Sequence, residues 1–183
     1  MPKFYPSKYI ISVVLIYLFV SIYLFFFTTL PGAAFVFQAK DFLLFLPLSV
    51  CAFISLFIAN KLVRFGNISF NKKSLFQALL IIFCYGLFIA LPEELIFRGL
   101  IQNNLQAVLS PSSAIILSSL IFGAVHLLNG ARSLHLKDWN WKLVVMSFVA
   151  GLFLGLAYFL TGSLTVPIIL HILFGLVMKI FIK

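Results

Sequence analysis

Two adjacent carboxylates and an arginine stand inside an apolar stretch, Pro92-Glu93-Glu94-Leu95-Ile96-Phe97-Arg98. The chain contains only four acidic residues, so half of them are here. A charge at the centre of a bilayer costs about 2.5–3.5 kcal/mol on the lenient insertion scale, so such groups are rare unless they do something. On one helix Glu94 and Arg98 are i,i+4 neighbours in the favourable acid-before-base order. Each ion would cost several kcal/mol if buried unpaired, which predicts an ion pair between them. Glu93 points about 100° away from Glu94. It is the less compensated carboxylate and the candidate general base.

The partners for that base are sought among the other polar groups of the apolar runs, His126 and His171. Glu93 lies 17 residues before Ser110, and His126 lies 16 after it. In a helical hairpin rising about 1.5 Å per residue the two reach nearly equal depth on facing helices. His171 is eight residues past Ser163. That places it about 12 Å from its turn, against about 25 Å for the other pair, so depth alone does not put it in the same site. A glutamate beside a histidine can hold a water and take its proton as the water attacks a carbonyl. A second histidine can face the developing oxyanion. The same residues are compatible with a buried structural network, with a proton or cation site in a transporter, and with a metal site. His135 reads as a solvated loop residue, and Phe97 and Phe122 as packing residues among 23 phenylalanines.

The elements that must position these groups are membrane helices. Of the 183 residues 63% are hydrophobic, 17% aromatic and 9% charged, with a mean hydropathy of +1.19. Soluble domains average about 45–50% apolar and about 25% charged. At roughly 20 residues per span the chain has room for about six helices in a single all-α, polytopic membrane domain, residues 1–183. The runs are Ile10 to Leu30, Phe42 to Ala59, Leu75 through Pro92 to about Leu109, Ala114 to Leu128, Leu143 to Leu160, and Leu164 to Ile182. The first is longer than a signal-peptide core and reads as a retained anchor. Pro92 predicts an irregular backbone beside the glutamates, with Leu91 biased away from the helical region. Gly151 and Gly155 have the GxxxG spacing of close helix packing. Cys51 and Cys84 sit singly in apolar runs, so neither a disulfide framework nor a CxxC zinc site is indicated.

The charge of +9 reports orientation rather than nucleic-acid binding, for which no aromatic-interleaved basic groove exists. With the N-terminus inside, the inner segments hold Lys3, Lys8, Lys61, Arg64, Lys72, Lys73, Arg132, Lys137, Lys142, Lys179 and Lys183. The outer side keeps Lys40 and Arg98. Both termini are therefore expected in the cytoplasm. Trp139 and Trp141 fall where an interfacial aromatic belt belongs.

Glu93-Glu94-Leu95-Ile96-Phe97-Arg98-Gly99 resembles the EExxFRG signature of the CAAX protease and bacteriocin-processing (CPBP, or Abi) family of intramembrane glutamic endopeptidases. Phe122 to His126 resembles that family's FxxxH motif. Thr161-Gly162-Ser163-Leu164, running into Pro167 and His171, resembles its third block. The resemblance covers roughly Leu75 to the C-terminus and leaves the spans of residues 1–74 without a motif. It implies Glu93 and His126 as the water-activating pair, Glu94 and Arg98 as supporting members, Phe122 as a helper at the site, and His171 on the oxyanion side. One departure stands out: the last motif is commonly HxxxN, and the position four after His171 is Gly175. Losing one oxyanion donor typically costs about 2.7–4 kcal/mol in the transition state. Asn103, Asn104 and Asn129 are candidate substitutes.

The expectation is thus a multi-pass cell-membrane peptidase, with its cavity between the third, fourth and sixth runs, surrounded by lipid. It would act without metal or other cofactor on a peptide or protein with a membrane-associated segment. Bacteriocin processing is among the family's roles. The alternative is a non-catalytic immunity or scaffold protein of the same fold, which Gly175 supports. A transporter is disfavoured by the lack of an internal repeat.

Overall fold

The computed structural model describes residues 38–63, 82–127 and 139–181, with isolated positions 19, 22, 35, 36, 79 and 136. The run Ile10 to Leu30, the connector from Arg64 to Lys73, His135 and Asn129 lie outside these residues, apart from positions 19 and 22. The elements are α1 (Ala39–Val63), π1 (Gly86–Ala90), α2 (Leu91–Glu94), π2 (Leu95–Gln102), α3 (Asn103–Gln106), α4 (Pro111–Val125), α5 (Trp141–Thr161) and α6 (Thr165–Phe181). Among the described residues there is no strand. Of these helices α1 and α5 are long and apolar enough to cross a membrane.

The pattern on α1 explains its setting. Leu48, Ala52, Leu56 and Ala59 fall at helical spacing and are buried, while Phe42, Leu43, Leu46, Val50, Ile54 and Leu62 are exposed. A helix that is apolar on both its packed stripe and its open face suits hydrocarbon rather than water. In lipid, helices associate through close packing and interhelical hydrogen bonds, because the tails are as apolar as the side chains. Here α5 is central and packs on α4, α1 and α6. One cluster joins Leu48, Ala52 and Leu56 to Leu154, Val166, Leu170 and Phe174, with Phe53 edge-on to Phe174 at 5.3 Å between centroids.

Local chemistry sets the ends. Ser110 is extended (φ −61°, ψ 150°), its side chain accepts from Ser113 N, and Pro111 opens α4. Proline suits that first position because its missing N–H would be unpaired anyway. Asn140 caps α5 by accepting from Leu143 N at 3.2 Å. Trp141 donates its indole N–H to Leu136 O at 3.0 Å.

Pro92 acts differently from the sequence expectation. Leu91 is helical (φ −60°, ψ −52°), and residues 82–106 follow one continuous helical path. What gives way is the winding. The Leu91 N–H bonds to Gly86 O, five residues back, so a wider π turn precedes the proline and relieves the clash its ring would make with the preceding turn of an α-helix. A second π segment follows the glutamates, and the Asn103 N–H closes it on Arg98 O. The irregularity expected at Pro92 is real, but it is expressed as two π segments bracketing Glu93 and Glu94. The boundary of α4 also differs. It ends at Val125, and His126 is its C-cap rather than a residue within a helix reaching Leu128.

Gly151 and Gly155 bring α5 against π2 and α4 and do more than make room. Arg98 Nη2 donates to Gly151 O at 3.0 Å, and Gln102 Nε2 donates to Gly155 O at 2.9 Å. Two donors four residues apart meet two carbonyls four residues apart. A β-carbon on Gly155 would stand 2.8 Å from Gln102 Oε1 and 3.2 Å from the Ile115 side chain. Gly155→Ala is therefore expected to destabilise the bundle by about 1–3 kcal/mol, the usual range for overpacking. Thermal unfolding in detergent checks it, and an unchanged midpoint would show that this contact does not hold the helices together.

Candidate active site

Glu93 and Glu94 are adjacent on α2 and live in different surroundings. Glu94 is completely buried, whereas Glu93 keeps 5% of its surface accessible. Glu94 Oε2 lies 3.1 Å from Arg98 Nε, and Arg98 Nη1 donates to Oε1 at 3.4 Å. The 3.1 Å approach is electrostatic rather than a well-directed hydrogen bond, since neither atom has an aligned partner. The shorter contact of Glu94 is with His171, whose Nδ1 is 2.8 Å from Oε1. Glu94 is thus held from two sides, by Arg98 on its own helix and by His171 from α6.

On Glu93, Oε2 is buried without a hydrogen-bond partner among the described residues and lies 3.6 Å from His171 Nε2. A carboxylate accepts only, so the 2.8 Å contact requires His171 Nδ1 to carry hydrogen. In a neutral ring Nε2 would then present a lone pair to Glu93. One further proton on the Glu93–His171 pair removes that conflict. With it on the histidine, two carboxylates meet an arginine and an imidazolium, and the cluster is neutral as a whole, the arrangement a low-dielectric site favours.

His126 approaches from the end of α4. Its Nδ1 is 2.8 Å from Phe122 O, so Nδ1 donates and the other nitrogen, Nε2, is the acceptor in the neutral ring. No direct hydrogen bond joins His126 to Glu93 in the structure. Phe122 is where the groups converge. Its ring is edge-on to Phe97 at 4.9 Å, to His126 at 4.9 Å and to His171 at 5.8 Å, and the Arg98 guanidinium lies 4.8 Å above it. These separations fall in the favourable range for edge-to-face and cation–π contacts.

The depth objection to His171 fails for a specific reason. It assumed that the turn between α5 and α6 lies at the membrane surface, yet Ser163 and Leu164 are buried. Leu164 packs with Leu95 and Tyr158, against Leu91 and Ile168. The C-terminal side of the turn is packed inside the bundle against the helix that carries the glutamates, and His171, further along α6, contacts both of them.

A cavity of about 200 Å³ opens beside these groups, lined by Tyr85, Phe122, His126, His171 and Gly175 together with Leu56 of α1 and Met146 and Ser147 of α5. It therefore draws on α1 and α5 as well as on the three runs named from sequence. His171 is on its wall and touches both glutamates. Among the described residues no group of three or more His, Cys, Asp and Glu side chains is placed to hold a metal ion. Asn103 and Asn104 are exposed, away from the site, and the Asn104 amide donates to Leu100 O at 2.8 Å. They do not replace the amide absent at 175.

Two residues at the site escaped the sequence reading. Gln102, fully buried, accepts from Ser118 Oγ at 3.4 Å while donating to Gly155 O. Its position four residues after Arg98, matched to the glycine spacing, is the signal that could have found it. Tyr85, edge-on to His171 at 5.7 Å between centroids, had no such signal, being one of six tyrosines in an apolar chain.

An all-helical bundle whose core encloses a Glu-Glu-Arg-His cluster beside a small cavity belongs to the class of membrane-embedded helical proteins with an internal polar site. Residues 75–177 match the family described as Rce1-like, type II CAAX prenyl endopeptidase. The chain belongs to this family, one of membrane-embedded CAAX-type proteases. No curated protein and no solved structure matches the chain.

Proposed function

We propose that the chain is an intramembrane glutamic peptidase that hydrolyses a peptide bond near a membrane-associated, CAAX-like end of its substrate. The supporting observation is the pairing of a fully held Glu94 with a Glu93 whose Oε2 lacks a hydrogen-bond partner among the described residues, both against His171. A water between Glu93 and the Nε2 of His126 gives its proton to Glu93 while its oxygen bonds to the substrate carbonyl carbon. The carbonyl π electrons move onto oxygen, and the protonated His171 donates to that oxyanion from Nε2. The oxyanion then collapses, the C–N bond breaks, and the leaving amine takes the proton from Glu93. Glu94 orients His171 through Nδ1 and Arg98 holds Glu94 in place from the same helix, while Phe122 fixes the spacing of the two histidines. In this reading the protein is a multi-pass component of the cell membrane with both termini in the cytoplasm, and bacterial peptide maturation is one setting for it.

The test is cleavage of a fluorogenic farnesylated CAAX-type peptide by purified protein in detergent. Wild type is expected to cleave, His126→Ala to lose about 10²-fold or more in kcat, and a chelator to leave the rate unchanged. Cleavage at the wild-type rate by His126→Ala removes that histidine from the mechanism. Loss of activity with chelator, restored by metal, replaces the glutamic mechanism with a metal-dependent one. The absence of cleavage by wild type would favour a non-catalytic family member.

A further inference from the structure

Position 175 is the place where the sequence withholds an expected donor, and the structure fills that space from another helix. A β-carbon built on Gly175 would fall 2.5 Å from Tyr85 Cζ and 3.0 Å from Cδ1. No side chain other than glycine fits there without moving the tyrosine ring. Cζ is the atom that carries the phenolic oxygen. The same ring is edge-on to His171 at 5.7 Å, and it lines the cavity with His126, His171 and Gly175. Its charged neighbours are Glu93 and Glu94. The glycine is therefore a cradle rather than a simple loss, and it brings a hydroxyl donor to the side of the cavity where the His171 ring lies.

From this geometry we propose that Tyr85 is a catalytic residue of this chain, its hydroxyl donating to the oxyanion alongside His171 Nε2. The role rests on the peptidase reading given above. A phenol suits it: it is a neutral donor that adds no charge to the cluster, carried on an apolar ring that packs against its neighbours. It also accounts for Gly175 and Tyr85 as a pair, because an amide-bearing side chain at 175 and the Tyr85 ring cannot occupy the same space.

The experiment compares wild type, Glu93→Gln, Tyr85→Phe, Tyr85→Ala and the double variant Tyr85→Ala/Gly175→Asn on the farnesylated peptide, with kcat and KM separated. Tyr85→Phe keeps the ring and its contacts, so kcat is expected to fall about 10²–10³-fold, as for loss of one oxyanion donor, with KM little changed. The double variant, with an amide at the vacated place, is expected to be at least about tenfold faster than Tyr85→Ala, partly restoring a donor of that class. Tyr85→Phe at the wild-type kcat, or a change confined to KM, overturns the role while leaving the peptidase reading intact. Wild type and Glu93→Gln cleaving alike, or neither cleaving, overturns the peptidase reading and this role together.

Discussion

Glu93→Gln is expected to reduce kcat on a cleavable membrane peptide by about 10²–10⁴-fold, the range spanned by a positioned general base. The substitution keeps the volume and one carbonyl oxygen of the side chain. It removes the ability to take a proton, at an atom that has no hydrogen-bond partner among the described residues to lose. Binding contacts are preserved, so KM should move little and the loss should appear in kcat. The thermal midpoint should fall less than on loss of Arg98, because the hydrogen bonds that tie this segment to α6 and α5 run through Glu94 and Arg98, and Glu93 adds only its 3.6 Å contact with His171. A variant that cleaves as fast as wild type would show that the base is elsewhere.

Arg98→Ala should act in the opposite way, on the bundle before the chemistry. The guanidinium is fully buried and serves three partners: Glu94, the Gly151 carbonyl and the Phe122 ring. Truncation leaves a completely buried carboxylate with His171 as its one ionic partner among the described residues and a buried carbonyl without its side-chain donor. Removing one member of a buried pair typically destabilises by about 3–5 kcal/mol. Unfolding in detergent should show this as a large fall in midpoint, and Arg98→Lys should recover only part of it, since a single ammonium cannot reproduce the planar fork. A midpoint equal to that of wild type would mean that Arg98 does not hold the cluster.

Much of this was legible in the sequence because it depends on spacing. The i,i+4 relation of Glu94 to Arg98 survives the change of winding at π2, so the pair forms although the helix is not a regular one. The concentration of charge into one apolar stretch pointed to the residues that the structure clusters, and the glycine spacing to the close approach of α5. What spacing could not carry is depth and direction. The position of His171 depended on whether the turn before it lies at a surface or inside the protein, and only packing decides that. His126 looked like a mid-helix residue because the apolar run continues past it, while the regular α-helix ends at Val125 and the His126 and Leu127 N–H groups close turns on Gly123 O and Ala124 O. Tyr85 was invisible because what marks it out is an absent side chain 90 residues away. The run Ile10 to Leu30 lies, apart from positions 19 and 22, outside the described residues.

The matched donors and carbonyls between π2 and α5 also set a rule for motion. Arg98 and Gln102 meet Gly151 and Gly155 in one alignment. A slip of one turn would bring Arg98 or Gln102 opposite a position such as Ser147 or Phe159, where a side chain blocks so close an approach. The two segments are keyed like teeth against sliding: a one-turn slip would break both hydrogen bonds and set a side chain against the close approach that the two glycines allow.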